Sequence, residues 1–362
     1  MNKIFLTITF FLSLCVSTLG FQSVSFAVLS DNVSNLKSCG ENDNTAACNG
    51  ACKTNASGHI EIGALGLPVD ADDATSYVDN CSMIPDLYRV TLYSGGLCTA
   101  DPYSASGTTV DYTTNCDLFF SDASGKVITL TNNGNGTATA TPSLTDGDVN
   151  LGIKTYTHAF MVMSNHLQIK HSTTFDFSGT STASKMQGGG ASAESEGVVC
   201  WSTDSTSTFS NLDGTGHGRT LRAGNGTFGE ASTQCGDTLG GTHAYATEII
   251  ETFGEASGNW GGTLEPRMAY SASPLDIGGT KAAILLKDDK VTVADTMESG
   301  VAMLYAVALT TPLAITEETT TFNIGFGLSG SVSVDFTTKD GSNELYIDKH
   351  GADPVDIKFT AE

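Results

Sequence analysis

The stretch FNIGFGLSGSVSVDF, residues 322–336, alternates apolar side chains with small or polar ones on either side of a glycine-containing turn. In its first half, Phe322, Ile324, Phe326 and Leu328 fall on every second position, and its second half repeats the pattern. Alternation with a period of two is typical of strands that bury one face. The stretch therefore predicts two β-strands, each with an apolar side that another layer of the protein must cover.

Similar alternation recurs upstream, for example in TYTHAFMVMS at 155–164 and VAMLYAVAL at 301–309, and few segments have helical spacing. Many short strands separated by glycine and asparagine turns favour an all-β fold. We expect an antiparallel β-sandwich, immunoglobulin-like or jelly-roll-like, built as two sandwich units or as one with a glycine-rich insertion. Two turns are predicted inside this pattern, one at Ser94–Gly96 and one at Asp122–Gly125, where the chain would reverse as a hairpin.

Composition divides the chain into four predicted segments. Residues 1–27 have a lysine, an apolar run and a small-x-small end, which is the pattern of a cleaved signal peptide. Residues 28–178 form a disulfide-rich N-terminal sandwich, residues 179–280 a Gly/Ser-rich segment, and residues 281–362 the strands that complete a second sandwich. The first segment implies export, to the cell surface, the medium or the periplasm.

The net charge of the chain limits the kinds of molecule that it is expected to bind. All 40 acidic residues and 16 of the 17 basic residues follow Ala27, so the exported chain would carry a net charge of −24. Such a field repels nucleic acid, and we expect no nucleic-acid partner. After residue 27 no apolar run is long enough for a membrane-spanning helix, so we predict no membrane span.

Eight cysteines remain after the predicted signal peptide, and an even number in an exported chain indicates disulfides. They are Cys39, Cys48, Cys52, Cys81, Cys98, Cys116, Cys200 and Cys235. The last two stand apart from the other six, which makes Cys200–Cys235 the best single pair. The spacing leaves 15 pairings open for the other six.

The chain contains one internal duplication. Residues 227–245 and 252–270 are identical at 11 of 19 positions without a gap. The matches are turn and packing residues, including two glycines, one Phe, one Leu and one Tyr, whereas Cys235 aligns with Trp260 and His243 with Met268. A duplicated catalytic centre would keep its reactive side chains, so the repeat predicts a duplicated scaffold.

Candidate ligand-binding residues are few. Glu230 and Glu255 are the only charged pair kept in the repeat, and Trp201 and Trp260 are the only tryptophans. Their rings could stack on a sugar, as could Tyr103 and Tyr112. No cofactor is predicted. Whether the protein binds a metal stays open, because clustered acidic residues leave calcium possible without completing a known calcium loop. These residues are Asp70, Asp72, Asp73, Asp146, Asp148, Asp288 and Asp289.

No motif for nucleophilic, phosphate-binding or zinc chemistry occurs, so the chain is not expected to be an enzyme. Three runs, YRVTLYSGGLCT, TYTHAF and FNIGFGLSGSVSVDF, resemble in style secreted β-proteins of Gram-negative bacteria, a likeness that carries no activity. The expected function is a bacterial secreted or cell-surface structural protein, such as a filament, surface-layer or adhesin-like subunit. It would self-associate through edge or terminal strands, at 355–359 or 28–37. The alternatives are a glycan- or ligand-binding module and, less favoured, a secreted hydrolase whose active residues come together only in the fold.

Overall fold

The structure is a computed structural model, and it describes most of the chain after residue 51. The described residues are 36–37, 52–64, 66–78, 80–103, 106–133, 138–141, 151–180, 185–188, 195–208, 233–240, 243–253, 266–272, 279–296, 299–338, 345–353 and 355–361. These residues form strands and no α-helix. The prediction of an all-β fold is therefore confirmed, while the particular type of sandwich stays a prediction.

The strands are numbered in chain order. They are β1 (Leu36–Lys37), β2 (Ile60–Glu61), β3 (Tyr77–Val78), β4 (Asn80–Met83), β5 (Leu87–Cys98), β6 (Cys116–Asn132), β7 (Ala138–Thr141), β8 (Thr155–Ser164), β9 (His166–Lys170), β10 (Ser172–Asp176), β11 (Met186–Gly188), β12 (Ser195–Gly197), β13 (Val199–Ser202), β14 (Ser205–Thr208), β15 (Thr233–Gly236), β16 (Ala246–Ile249), β17 (Arg267–Ala272), β18 (Gly279–Leu286), β19 (Ala302–Ala314), β20 (Phe322–Gly327), β21 (Val332–Thr338), β22 (Leu345–Ala352) and β23 (Asp356–Ala361).

The largest sheet contains ten strands. Its main path has the order β14-β16-β9-β5-β8-β19-β18-β17, and β6 and β7 continue from the second edge of β5. Its long central pairs are all antiparallel, and the parallel pair β14-β16 lies at one margin. This sheet is the platform on which the remaining strands pack.

The described residues also form four smaller sheets. One has five strands in the order β12-β11-β22-β21-β4, and another has four in the order β15-β13-β10-β2. The last strand pairs with β20 as a separate two-stranded sheet, and β1 pairs with β3. The fold therefore consists of several packed sheets, as expected of a sandwich-like all-β protein.

Strands from both ends of the chain share these sheets. In the ten-stranded sheet β8 pairs with β19, and in the five-stranded sheet β4 pairs with β21. The boundaries drawn from composition at residues 178 and 280 thus do not separate one sheet from another. The predicted insertion itself contributes β14, β16 and β17 to the large sheet.

The ten-stranded sheet is apolar on both faces in its central strands. On the face that we call the inner face, residues such as Met161 and Tyr305 belong to one core with β20 to β23. On the opposite, outer face, Phe160, Ile284 and Leu304 belong to a second core. Because β8, β18 and β19 are buried on both sides, they are apolar at nearly every position. Strands with only one buried face would alternate apolar and polar residues instead.

The outer core is covered by the segment between β5 and β6. A disulfide joins the two ends of the segment, Cys98 and Cys116. Its middle is held by backbone hydrogen bonds, from Val110 N to Val291 O at 3.0 Å and from Val293 N to Thr108 O at 2.9 Å. On this face a short, cross-linked segment covers the core, whereas whole sheets cover the core on the inner face.

Both predicted turns are wrong, because each lies within a continuous strand. Residues 122–125 form a bulge opposite Tyr93, and β6 continues past it in the same direction along β5. At Ser94–Gly96 the chain stays extended, and the glycines allow close packing instead of a reversal. A Cβ on Gly95 would lie 2.6 Å from the Phe119 ring, and one on Gly96 would lie 2.6 Å from the Phe160 ring.

The inward polar residue Asn165 marks the point where the large sheet divides. It lies between β8, whose next neighbour is β19, and β9, whose next neighbour is β16. The fully buried amide Nδ2 donates to Ile250 O and to Gly300 O, both at 3.0 Å. One side chain thus holds together the two parts of the sheet where their backbones diverge.

Candidate functional site

The structure describes some of the residues singled out in the sequence. Trp260, Glu230 and Glu255 lie outside the described residues, as do Cys39 and Cys48. The predicted signal peptide also lies outside them. The remaining candidate disulfide and ligand-binding residues are all described.

Trp201 is buried in β13, with 7% of its surface exposed. Its ring lies over the backbone of Gly236 and Gly240, where an added Cβ would meet the indole at 3.2 and 3.0 Å. A sugar needs an accessible ring face, so the position of Trp201 suits packing better than stacking on a ligand.

Among the described residues, three disulfides join six of the eight cysteines that follow the predicted signal peptide. They join Cys52 to Cys81, Cys98 to Cys116 and Cys200 to Cys235. The last is the pair that the sequence singled out, and it links the adjacent strands β13 and β15. Disulfides of this number are consistent with folding in an oxidising, exported environment.

A group of aromatic side chains lies at the rim of the outer core. We call it the tyrosine surface, and it consists of Tyr93, Tyr103, Tyr112 and Tyr270. Tyr103 and Tyr270 meet edge to face at 5.5 Å between ring centres. Three of the four rings are partly exposed, and Tyr103 is buried. Two members were candidates for sugar stacking in the sequence, and Tyr270 was missed because it lies far along the chain.

Charged groups border the tyrosine surface. The Tyr270 hydroxyl donates to Asp101 Oδ1 at 2.5 Å, and burial, followed by that hydrogen bond, raises the pKa of Tyr270. His158 lies 6.1 Å from the Tyr270 ring, and partial burial lowers its pKa while Asp101 opposes the shift. Lys290 Nζ lies 4.8 Å from the centre of the Tyr93 ring. The surface therefore combines aromatic faces with hydrogen-bonding groups of both charges.

A second group of polar side chains lies inside the protein, between the large sheet and the last strand. Lys281 Nζ of β18 is 3.4 Å from Asp356 Oδ1 of β23, and the two side chains are only 6% and 1% exposed. The Tyr305 hydroxyl is also buried there, and it has no hydrogen-bond partner among the described residues. Burial, and then the charge of Asp356, raises the pKa of Tyr305. We call Lys281, Asp356, Asp353 and Tyr305 the interior polar cluster.

Asp353 connects this cluster to further buried groups. Its backbone carbonyl accepts a 3.0 Å hydrogen bond from the Tyr88 hydroxyl. Burial raises the pKa of Tyr88 well above its ordinary value, and Asp353 and Glu248 add to the shift. Glu248, itself buried, accepts a hydrogen bond from Ala352 N at 2.5 Å. Sequence reasoning missed this cluster, although Lys281 at an inward position in an apolar strand was a usable signal.

A pair of buried histidines lies in the same inner region. His171 and His350 are 5.6 Å apart between ring centres, and each bonds a threonine hydroxyl at 2.8 Å, Thr173 and Thr233 respectively. Burial, and then the charge of His350, lowers the pKa of His171 to about 3, against the opposing charge of Asp86. At neutral pH His171 is therefore an uncharged, hydrogen-bonded interior residue.

Three histidines lie close together in the sequence, at positions 158, 166 and 171, but they do not meet in space. His158 borders the tyrosine surface, His166 is exposed, and His171 is buried on the inner side. Across the described ranges, no three His, Cys, Asp or Glu side chains are placed to hold a metal ion. Calcium binding stays a prediction.

Of the acidic residues considered as calcium ligands, Asp70, Asp73 and Asp289 cap turns. Asp70 Oδ1 accepts from the backbone of Asp72 at 2.7 Å, and Asp289 Oδ1 accepts from Thr292 N at 2.8 Å. Hydrogen bonds with Thr292 and Val291 lower the pKa of Asp289. Asp146 and Asp148 lie outside the described residues.

The two tyrosines that end the repeat lie at opposite margins of the large sheet. Tyr245 precedes β16 and stacks under Arg89, whose Cζ is 3.6 Å from the ring centre. Tyr270 lies in β17, the last strand at the other margin. The duplicated sequence is thus used in two different environments.

Comparison of the chain with protein-family models, curated proteins and solved structures finds no match. Among the described residues there is no helix with the length and apolar character needed to cross a membrane.

Proposed function

We propose that the chain is a secreted or cell-surface structural protein, a subunit of a filament, surface layer or adhesive coat. The observation that carries the proposal is the terminal two-stranded sheet, β20 with β23. Within the described part of the chain, no third strand pairs with the outer edge of either strand. Unpaired edges present backbone donors and acceptors to which a strand of another copy can add.

One face of this small sheet is fixed to the protein. Phe322 and Phe359 are buried in the inner core, with ring centres 6.2 Å apart. Gly325 and Lys358, which pair across the two strands, are exposed on the opposite face. A strand that joins the edge would therefore extend a sheet that is already anchored on one side.

The chemistry of the described side chains supports a structural function. The titratable groups with the strongest burial, such as Lys281, Asp356 and His171, lie in the interior and bond with one another or with threonines. An enzyme would be expected to direct such groups into an accessible cleft. Three disulfides suit a protein that must persist outside the cell.

The assembly state of the mature protein tests the proposal. We expect ordered filaments or a lattice by negative-stain microscopy of material sheared gently from producing cells, and large species by light scattering after purification. A soluble monomer in both preparations would contradict the structural function.

A peptide with the sequence of residues 355–361, VDIKFTA, tests the role of the strand edges. Added in excess, it should occupy the open edges and reduce the assemblies to monomers. The same peptide with methylated backbone nitrogens is the matched control, because it cannot donate the ladder hydrogen bonds. Deletion of these residues is a poorer test, since it also removes the buried side chains of Val355, Ile357 and Phe359. Assemblies that resist the unmodified peptide would place the contact elsewhere.

Binding of an extracellular glycan is a second candidate, favoured by the tyrosine surface. Amphipathic rings with adjacent hydrogen-bonding groups are the usual means of holding a sugar. The test is binding to a glycan array and to soluble polysaccharides. Tyr270→Ala should abolish binding, whereas Tyr245→Ala, which changes the corresponding tyrosine of the other repeat copy, should not. If Tyr270→Ala bound glycan as well as Tyr245→Ala does, the tyrosine surface would be excluded as the glycan site.

A further inference from the structure

We propose that Lys281 and Asp356 form an intramolecular amide cross-link, which joins the large sheet to the last strand of the chain. This modification site does not depend on the proposed function, since a cross-link of this kind would also stabilise a ligand-binding module.

The proposal rests first on distance and burial. Lys281 Nζ and Asp356 Oδ1 are 3.4 Å apart, and both side chains are more than nine-tenths buried. The two residues are 75 positions apart in sequence, so the contact is made by the fold and not by the local chain. Burial holds the nitrogen beside the carboxyl carbon that it would attack, which is the main requirement for an intramolecular reaction that needs no separate enzyme.

The surroundings favour the uncharged forms that react. A buried ammonium and a buried carboxylate both lose their hydration, and transfer of one proton gives a neutral amine and a neutral carboxylic acid. Burial lowers the pKa of Lys281 to about 8, against the opposing charges of Asp356 and Asp353. The amine is therefore a better nucleophile here than an exposed lysine would be.

The step balances without any added reagent. The lone pair of the Lys281 amine attacks Cγ of the protonated Asp356 side chain and forms a tetrahedral intermediate. The nitrogen loses a proton, the hydroxyl group gains one, and the C–O bond breaks as the amide forms and one water molecule leaves. Asp353, which is buried and acts electrostatically on Lys281, is the neighbouring carboxylate that can carry this proton.

The product removes two charges from the interior and replaces them with a neutral amide. It also ties β23 to β18 by a bond that denaturant and reductant do not break. The last strand could then not separate from the protein even after the three disulfides are reduced.

The mass of the wild-type protein decides the matter. After complete reduction of the disulfides, the intact protein should be lighter than its sequence by one water molecule. A tryptic digest should contain a branched peptide that joins residues 268–287 to residues 350–358, with no cleavage after Lys281. An intact mass equal to the sequence, with separate linear peptides, would overturn the proposal. Loss of water with only linear peptides would indicate a cyclic imide and would overturn it as well.

Substitutions test which side chains form the cross-link. Lys281→Arg keeps the charge but removes the nucleophilic amine, so the missing water should return to the mass. Lys287→Arg, a change at the partly exposed lysine that pairs with Asp295, is the matched control and should stay cross-linked. Asp356→Asn should lose ammonia instead of water and reach the same final mass as the wild type. A Lys281→Arg variant that still lacks one water would place the cross-link elsewhere.

A separate experiment tests the proposed proton transfer by Asp353. Asp353→Asn should slow the appearance of the branched peptide in freshly purified protein by tenfold or more, since a carboxylate is needed for the proton transfer. An unchanged rate would contradict that assignment.

Discussion

The two faces of the large sheet are both buried, but different structures cover them. On the inner face, β20 to β23 and the smaller sheets contribute a continuous apolar core that also contains the interior polar cluster and the histidine pair. On the outer face, the cover is a chain segment closed by Cys98–Cys116, and its polar side chains reach the tyrosine surface. Because the covers differ, destabilising substitutions on the two faces should have different effects on stability and on hydrogen exchange.

The largest effect is expected from a change on the inner face. Phe322 is fully buried, and its ring centre lies 5.2 Å from that of Phe119 and 6.2 Å from that of Phe359. Phe322→Ala should lower the free energy of unfolding by about 3–5 kcal/mol, because flanking sheets cannot collapse into the cavity. Denaturant unfolding followed by circular dichroism measures the loss. Phe322→Leu is the control and should lose less, whereas a loss of under about 1 kcal/mol for the alanine variant would show that this core is loosely packed.

The outer face should depend on its disulfide. The double variant Cys98→Ser with Cys116→Ser opens a loop of 18 residues, which should cost about 3 kcal/mol of unfolding free energy. Hydrogen exchange should show new opening at Val110 and around the tyrosine surface, while β20 to β23 remain protected. The corresponding pair of changes at Cys200 and Cys235 is the matched control, with opening at β13 and β15 instead. If hydrogen exchange increased equally on both faces in either variant, the two faces would not be stabilised independently.

The strands of this fold were predictable because alternation reports a buried face. Residues 322–336 contain two strands, β20 and β21, as the pattern predicts. The turn at Asp122–Gly125 was mistaken because a bulge and a hairpin both use a glycine with positive φ, here 86° at Gly125. Only the register of β6 against β5 distinguishes them, and that register depends on residues distant in sequence.

The candidate sites were less predictable than the strands. Tyr103 and Tyr270, or Lys281 and Asp356, are brought together by pairing between strands far apart in the chain. Sequence alone treats each as a single polar residue or ring, for which the usual expectation is exposure or packing. The pairing Cys200–Cys235 was an exception, because two isolated cysteines leave one simple choice.

The smallest expected effect is a dependence on pH, and it should distinguish the two faces. His171 on the inner side has a pKa of about 3 in the folded protein, because burial disfavours its charged form. In the unfolded chain its pKa would be about 6.5. Between these values the unfolded state binds the proton more strongly, so this contribution to stability is intact above about pH 6.5 and falls as the pH decreases. The slope should approach about 1.4 kcal/mol per pH unit, which gives a loss of roughly 2 kcal/mol from pH 6.5 to pH 5.

The measurement is the free energy of unfolding across this pH range for the wild type and for His171→Gln. The variant keeps a hydrogen-bonding side chain but does not titrate, so its curve should be flatter than that of the wild type by the slope given above, whatever its stability at neutral pH. His158→Gln is the control from the outer side, where the imidazole is only partly buried and Asp101 opposes the effect of burial on its pKa. Its curve should stay close to that of the wild type. His350, His243 and Asp86 also act on His171, so a slope that survives in His171→Gln would assign the proton to one of these neighbours and not to His171.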